Sequence, residues 1–91
     1  MENIKEKKKV AQEIHIDDSD GTLYVLNDDY NTIMHVIECL MKYCGLNSNS
    51  AQECTYKIHE EGECAVLQDK KMTLYIICEN LIDSGLNAEI R

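Results

Sequence analysis

Asn27, Asp28 and Asp29 stand in a row, and His59 lies thirty residues beyond the last of them. These are the groups most able to do chemistry. Two adjacent carboxylates on a loop are costly to bring together unless a cation lies near. A simpler reading stands beside that one: an Asx-rich turn that caps the helix after it, which spacing alone favours. A lone helical histidine is likewise more often a surface residue than a ligand. A carboxylate–histidine metal site lacks a third clear ligand, so no metal and no cofactor are expected. There is no Gly-x-Ser-x-Gly elbow and no cysteine within a nucleophile motif, so no catalytic residue is assigned and the chain is not read as an enzyme. Cys39, Cys44, Cys54, Cys64 and Cys78 form no Cys-x-x-Cys pair and read as small buried hydrophobes kept reduced.

The elements that must position these groups can be read from the pattern of apolar residues. Gly21 opens the folded part, and Thr22–Leu26 reads as a strand. Asn27–Asn31 is a loop by composition. Thr32 is a helix cap, and Ile33, Val36, Ile37, Leu40 and Cys44 follow at helical spacing until Gly45. Asn47 or Ser48 starts a second helix. Ala51, Cys54, Thr55, Ile58 and His59 form its stripe, and Gly62 stops it. Cys64–Gln68 reads as a second strand and Lys70 to Ser84 as a third helix. Gly85 and a short strand over Leu86–Ile90 complete the order β-α-α-β-α-β. Three helices covering one face of a small three-stranded antiparallel sheet make an α+β two-layer sandwich.

Composition limits the function. The 91 residues allow one domain, and the net charge of −8 opposes binding to nucleic-acid phosphates. No apolar run of membrane-spanning length occurs, so no membrane partner is expected. No basic amino-terminal segment leads into an apolar stretch, which reads as no secretory signal and a cytoplasmic location. Residues 1–20 stand apart, with Lys5, Lys7, Lys8 and Lys9 in one cluster and Asp17, Asp18 and Asp20 in another. They read as a flexible extension, either a plain tail or a tether that touches a partner. Residues 21–91 read as the core domain, a monomer.

Leu23-Tyr-Val-Leu-Asn-Asp-Asp-Tyr30, a helix with Val36 and Leu40, and then His59-x-x-Gly62 resemble the ClpS family, adaptors of the Clp (AAA+) protease that recognise N-degrons. The resemblance covers about residues 22–90, and that family's fold is similar to the C-terminal domain of the ribosomal stalk protein. It implies that the chain captures a protein's free amino terminus and delivers it to the N-domain of a Clp unfoldase. Asn27, Asp29 and His59 match the family positions that hold the α-ammonium, with Asp28 beside them. Chemically this is coherent: an ammonium offers three donors and one charge, and a carboxylate, an amide oxygen and a neutral imidazole each accept. Asn31 lies where the family contacts the peptide backbone. Ile33, Val36, Leu46, Thr55, Ile58 and Ala88 match the pocket for a bulky apolar first side chain.

Two departures bear on which first residues are accepted. Asn31, Thr32 and Ile33 stand where the family often has Thr-Pro-Met, and Ile33 is stiffer than methionine. Thr55 replaces a common methionine, which makes the pocket roomier or more polar. The alternative to an adaptor is a stalk-like interaction domain, docking another protein without an amino-terminal pocket.

Overall fold

The computed structural model describes residues 18–91, so the extension read from residues 1–20 lies almost wholly outside the described part. The element order is β1 (Asp20–Leu26), α1 (Ile33–Cys44), α2 (Ser48–Glu61), β2 (Glu63–Lys70), α3 (Lys71–Asp83) and β3 (Asn87–Ile90). The three strands form one antiparallel sheet in the order β2-β1-β3, as the α+β sandwich requires. β1 is therefore central and hydrogen-bonded on both edges.

Leu23 and Val25 on β1 are essentially inaccessible, and their neighbours Thr22, Tyr24 and Leu26 are half-buried. That alternation turns one sheet face to the helices. The pairing with β2 shifts between Leu23, opposite Leu67, and Tyr24, opposite Ala65, so Val66 is an extra residue in a bulge. On the other face, the Arg91 guanidinium lies 4.1 Å from the Tyr24 ring centroid and donates to both Glu63 oxygens at 2.7 and 2.8 Å. It thereby spans all three strands.

Each helix contributes one stripe to the core: Val36, Cys39, Leu40 and Cys44 from α1, Ala51, Thr55 and Ile58 from α2, and Leu74, Cys78 and Leu81 from α3. Local signals set the helix ends. Thr32 Oγ1 accepts from His35 N at 3.1 Å, and Asn47 Oδ1 from Ser50 N at 2.8 Å, each satisfying a donor that has no partner within its helix. Gly45 and Gly62 close α1 and α2 at φ 68° and 91°, a region that side-chain-bearing residues rarely enter.

Three boundaries differ from the sequence pattern. β1 and β2 are longer than their apolar runs because Asp20 pairs with Lys70 in the ladder, with an ion pair of 3.1 Å beside it. α3 starts at Lys71 with no intervening loop, and Lys71 N donates to Ser19 O at 2.9 Å in place of a side-chain cap. β3 begins at Asn87, because Leu86 N still bonds back to Leu81 O at 3.0 Å.

Candidate functional site

A cavity of about 400 Å³ opens where β1 ends. Its floor and walls are Val25 and Leu26 from β1, Ile33 and Val36 from α1, Thr55 and Ile58 from α2, and Leu86 before β3. Asn27, Asp28, Asp29, Asn31, Thr32 and His59 form its polar side. Nine of the eleven residues singled out from the sequence thus line one cavity: Asn27, Asp28, Asp29, Asn31, Ile33, Val36, Thr55, Ile58 and His59. A backbone bond helps to join them, since Asn27 N donates to Gly62 O at 2.9 Å and so ties the loop to the end of the helix that carries His59.

Leu46 and Ala88 are not among the lining residues. Leu46 follows the Gly45 stop, its N–H bonded back to Leu40 O at 3.3 Å, and its side chain packs half-buried against the core. Ala88 is paired with Val25 within the sheet and is likewise packed against the core.

The polar residues divide into two groups. Asp28 is spent on the loop itself. Its Oδ1 accepts from Tyr30 N at 2.9 Å and Asn31 N at 2.8 Å, and its Oδ2 from Asn31 Nδ2 at 2.8 Å. Burial pushes the Asp28 carboxyl up, but the bonds from Asn31 and Tyr30, with His35 nearby, outweigh it and hold the group below its ordinary value. Asn31 Nδ2 also donates to Gly85 O at 2.8 Å, which bolts the loop to the turn before β3. His35 reinforces the same junction: its Nε2 donates to Ser84 O at 2.8 Å. By contrast, the side chains of Asn27, Asp29 and His59 make no hydrogen bond or ion pair within the described residues, and all three are exposed.

Among the apolar residues, Thr55 is 5% exposed and its hydroxyl donates to Ala51 O at 2.7 Å. The hydroxyl is used within its own helix, so this position makes the cavity roomier more than it makes it polar. Val36 and Ile58 are buried, whereas Ile33 is 51% exposed at the rim.

The cysteines sit as small hydrophobes. Burial pushes the Cys44 thiol up to about 12, with Cys54 and Cys39 adding to it, and burial together with the Cys64 thiol's hydrogen bond to Cys54 does the same to Cys64, also to about 12. Thiols held protonated to that extent are poor nucleophiles and poor metal ligands. Among the described residues no group of three or more His, Cys, Asp or Glu is placed to hold a metal, and no helix is long and apolar enough to cross a membrane.

Leu86, Thr32 and His35 have places at or beside the site that sequence reasoning did not give them. Thr32 was readable as a cap. The positions of Leu86 and His35 depend on contacts with residues about fifty positions away along the chain, for which the sequence carries no local signal.

Fold and cavity together define a small α+β domain with a cleft, apolar on its floor and polar on its lip, at the end of the central strand. Residues 17–83 match the family described as "ATP-dependent Clp protease adaptor protein ClpS". The chain is similar to the ClpS adapter of Thermosynechococcus vestitus, with 41% identity over 63 residues, 68% of this chain and 67% of that one. A Nostoc ClpS adapter is 49% identical over 43 residues, 46% of this chain and 44% of that one. In three dimensions the chain is similar to Agrobacterium tumefaciens ClpS2 bound to L-phenylalaninamide, with a TM-score of 0.70 at 16% identity, covering 81% of this chain and 99% of that one. The chain belongs to the ClpS family of adaptors of the ATP-dependent Clp protease.

Proposed function

We propose that the cavity captures the free α-amino group and the bulky apolar first side chain of a polypeptide, and that the protein delivers that polypeptide to a Clp AAA+ unfoldase. The observation that carries this reading is the division of the polar lip. Asp28 and Asn31 hold the loop, while Asn27, Asp29 and His59 present acceptor groups with no partner of their own beside an apolar cavity. An α-ammonium supplies the cation that the acidic loop would otherwise lack. In this reading Asp29 is the counter-charge, Asn27 and His59 accept the remaining donors, and Asp28 and Asn31 are positioning residues. Ile33, Val36, Thr55, Ile58 and Leu86 surround the first side chain. The ligand of the Agrobacterium neighbour, an amino-acid amide with a bulky aromatic side chain, is of the same chemical class.

The magnitudes suit reversible capture. Burying a Leu-sized side chain contributes about 1.5–3 kcal/mol. A hydrogen bond to a charged group contributes about 1.5–3 kcal/mol. Association costs at least about 4 kcal/mol. The surplus is modest, as release to a protease demands.

Titration with peptides beginning in Leu, Phe, Tyr or Trp, free and then acetylated, tests the reading. Acetylation removes the charge and two donors and is expected to abolish binding. Equal affinity for both forms would overturn the proposal. Delivery is tested separately, by whether the protein accelerates degradation of a reporter with such an amino terminus by a Clp unfoldase–peptidase.

A further inference from the structure

Helix α3 is apolar on both sides. Leu74, Cys78 and Leu81 face the core, yet Met72, Tyr75, Ile76 and Ile82 are 49%, 49%, 66% and 52% exposed. Met72 and Ile76 are one turn apart, Tyr75 bridges them, and Ile82 continues the strip past Glu79. A helix that is hydrophobic all round is ordinarily covered on its outer side too, and contiguous exposed apolar residues mark a surface that something occupies.

The chain's own first residues enter beside this strip. Ser19 O caps the first turn of α3 through Lys71 N at 2.9 Å, and Asp20 pairs with Lys70 at 3.1 Å. The described chain therefore begins, at Asp18, within a few residues' reach of Met72. The strip from Met72 to Ile82 is about 15 Å long at the helical rise. Residues 4–16, which contain Ile4, Val10, Ile14 and Ile16, can span that length whether helical or extended. The order of charges also corresponds. Asp20 pairs with Lys70 at the start of α3, and a segment laid back along the helix from there would carry the Lys5 to Lys9 cluster toward Glu79 and Asp83.

We propose that residues 4–16 fold back along α3, seating Val10, Ile14 and Ile16 on Met72, Tyr75 and Ile76 and bringing the lysine cluster to Glu79 and Asp83. The tether makes this contact intramolecular, with an effective concentration of order millimolar, so it persists without high intrinsic affinity. It uses no residue of the cavity and stands whether or not the cavity takes an amino terminus. Any partner that docks on the outer face of α3 must first displace the chain's own segment.

Nuclear Overhauser contacts in the full-length, isotopically labelled chain test this. Contacts from the Ile14 and Ile16 methyls to Tyr75 and Ile76 are expected, and they should not depend on protein concentration. The triple variant Val10→Asp, Ile14→Asp, Ile16→Asp should remove them and shift the amide resonances of residues 72–83. Ile76→Lys, at a position too exposed to unfold the domain, should remove them from the other side. Unchanged α3 resonances in the triple variant would overturn the proposal. So would contacts that arise only between labelled and unlabelled molecules in a mixed sample, which would assign the strip to a second copy.

Discussion

The two sides of the cavity are built by opposite means. The polar lip, residues 27–31 with His59, is exposed apart from half-buried Asp28 and Asn31, and is held in shape by a few directional hydrogen bonds, nearly all involving those two residues. The apolar side, Val36, Thr55 and Ile58, is the outer edge of the core and is held by packing. Binding and stability should therefore separate at Asn27, Asp29 and His59 and be entangled at Asp28, Asn31 and the wall. On the proposed reading, the capturing groups Asn27, Asp29 and His59 sit where the fold depends on them least.

The comparison can be broken or sharpened in order of effect. Ile58→Ala should have the largest, removing a buried side chain at a stability cost of about 2–5 kcal/mol, seen as a lower urea midpoint. An unchanged midpoint would mean that the wall is not core. Asp29→Ala comes next. It should weaken free-amino-terminal peptides by about tenfold to a hundredfold, from a loss of about 1.5–3 kcal/mol, while the thermal midpoint stays put. Asn31→Ala removes the bridge to Gly85 and should cost about 0.5–1.5 kcal/mol of stability, with a correlated loss of binding. A loss of binding with full stability would make Asn31 a contact residue and not a positioning one.

Ile33→Ala, at the exposed rim, should change stability by no more than about 0.5 kcal/mol yet alter the preference between peptides beginning in Leu and in Phe. The smallest effect is confined to acid. Asp28 is held below its ordinary value of 3.8, so its contribution to stability is complete above that value and is lost as pH falls below it. The acid limb of an unfolding titration should accordingly move to higher pH in a protein lacking the Asn31 amide, and an unmoved limb would detach Asp28 from the loop's stability.

The fold was largely legible because its signals are local. Thr32, Asn47, Gly45 and Gly62 each mark a helix end through their own side chain or backbone, and the apolar stripes of α1, α2 and α3 follow from spacing. The strand ends were less so, since Asp20 and Lys70 belong to the ladder only because they face each other. At the site, the residues to watch were legible but their division of labour was not. Nothing near Asn31 says that its amide will be claimed by a carbonyl at position 85. The Asx turn that spacing favoured and the ligand-binding loop that the resemblance implied are, on the proposed reading, the same segment, with Asp28 and Asn31 serving the first and Asn27 and Asp29 the second.

The Asn31–Gly85 bond also has a consequence in time. A ribosome delivers the chain from its amino terminus, and β1, the loop and both walls from α1 and α2 emerge well before residue 85. Until then the loop lacks its bolt, Leu86 is missing from the cavity, and β1 has no β3 on its outer edge. The cleft is complete only once residues 85–90 have emerged, so on the proposed reading a nascent copy could not take another chain's amino terminus before then.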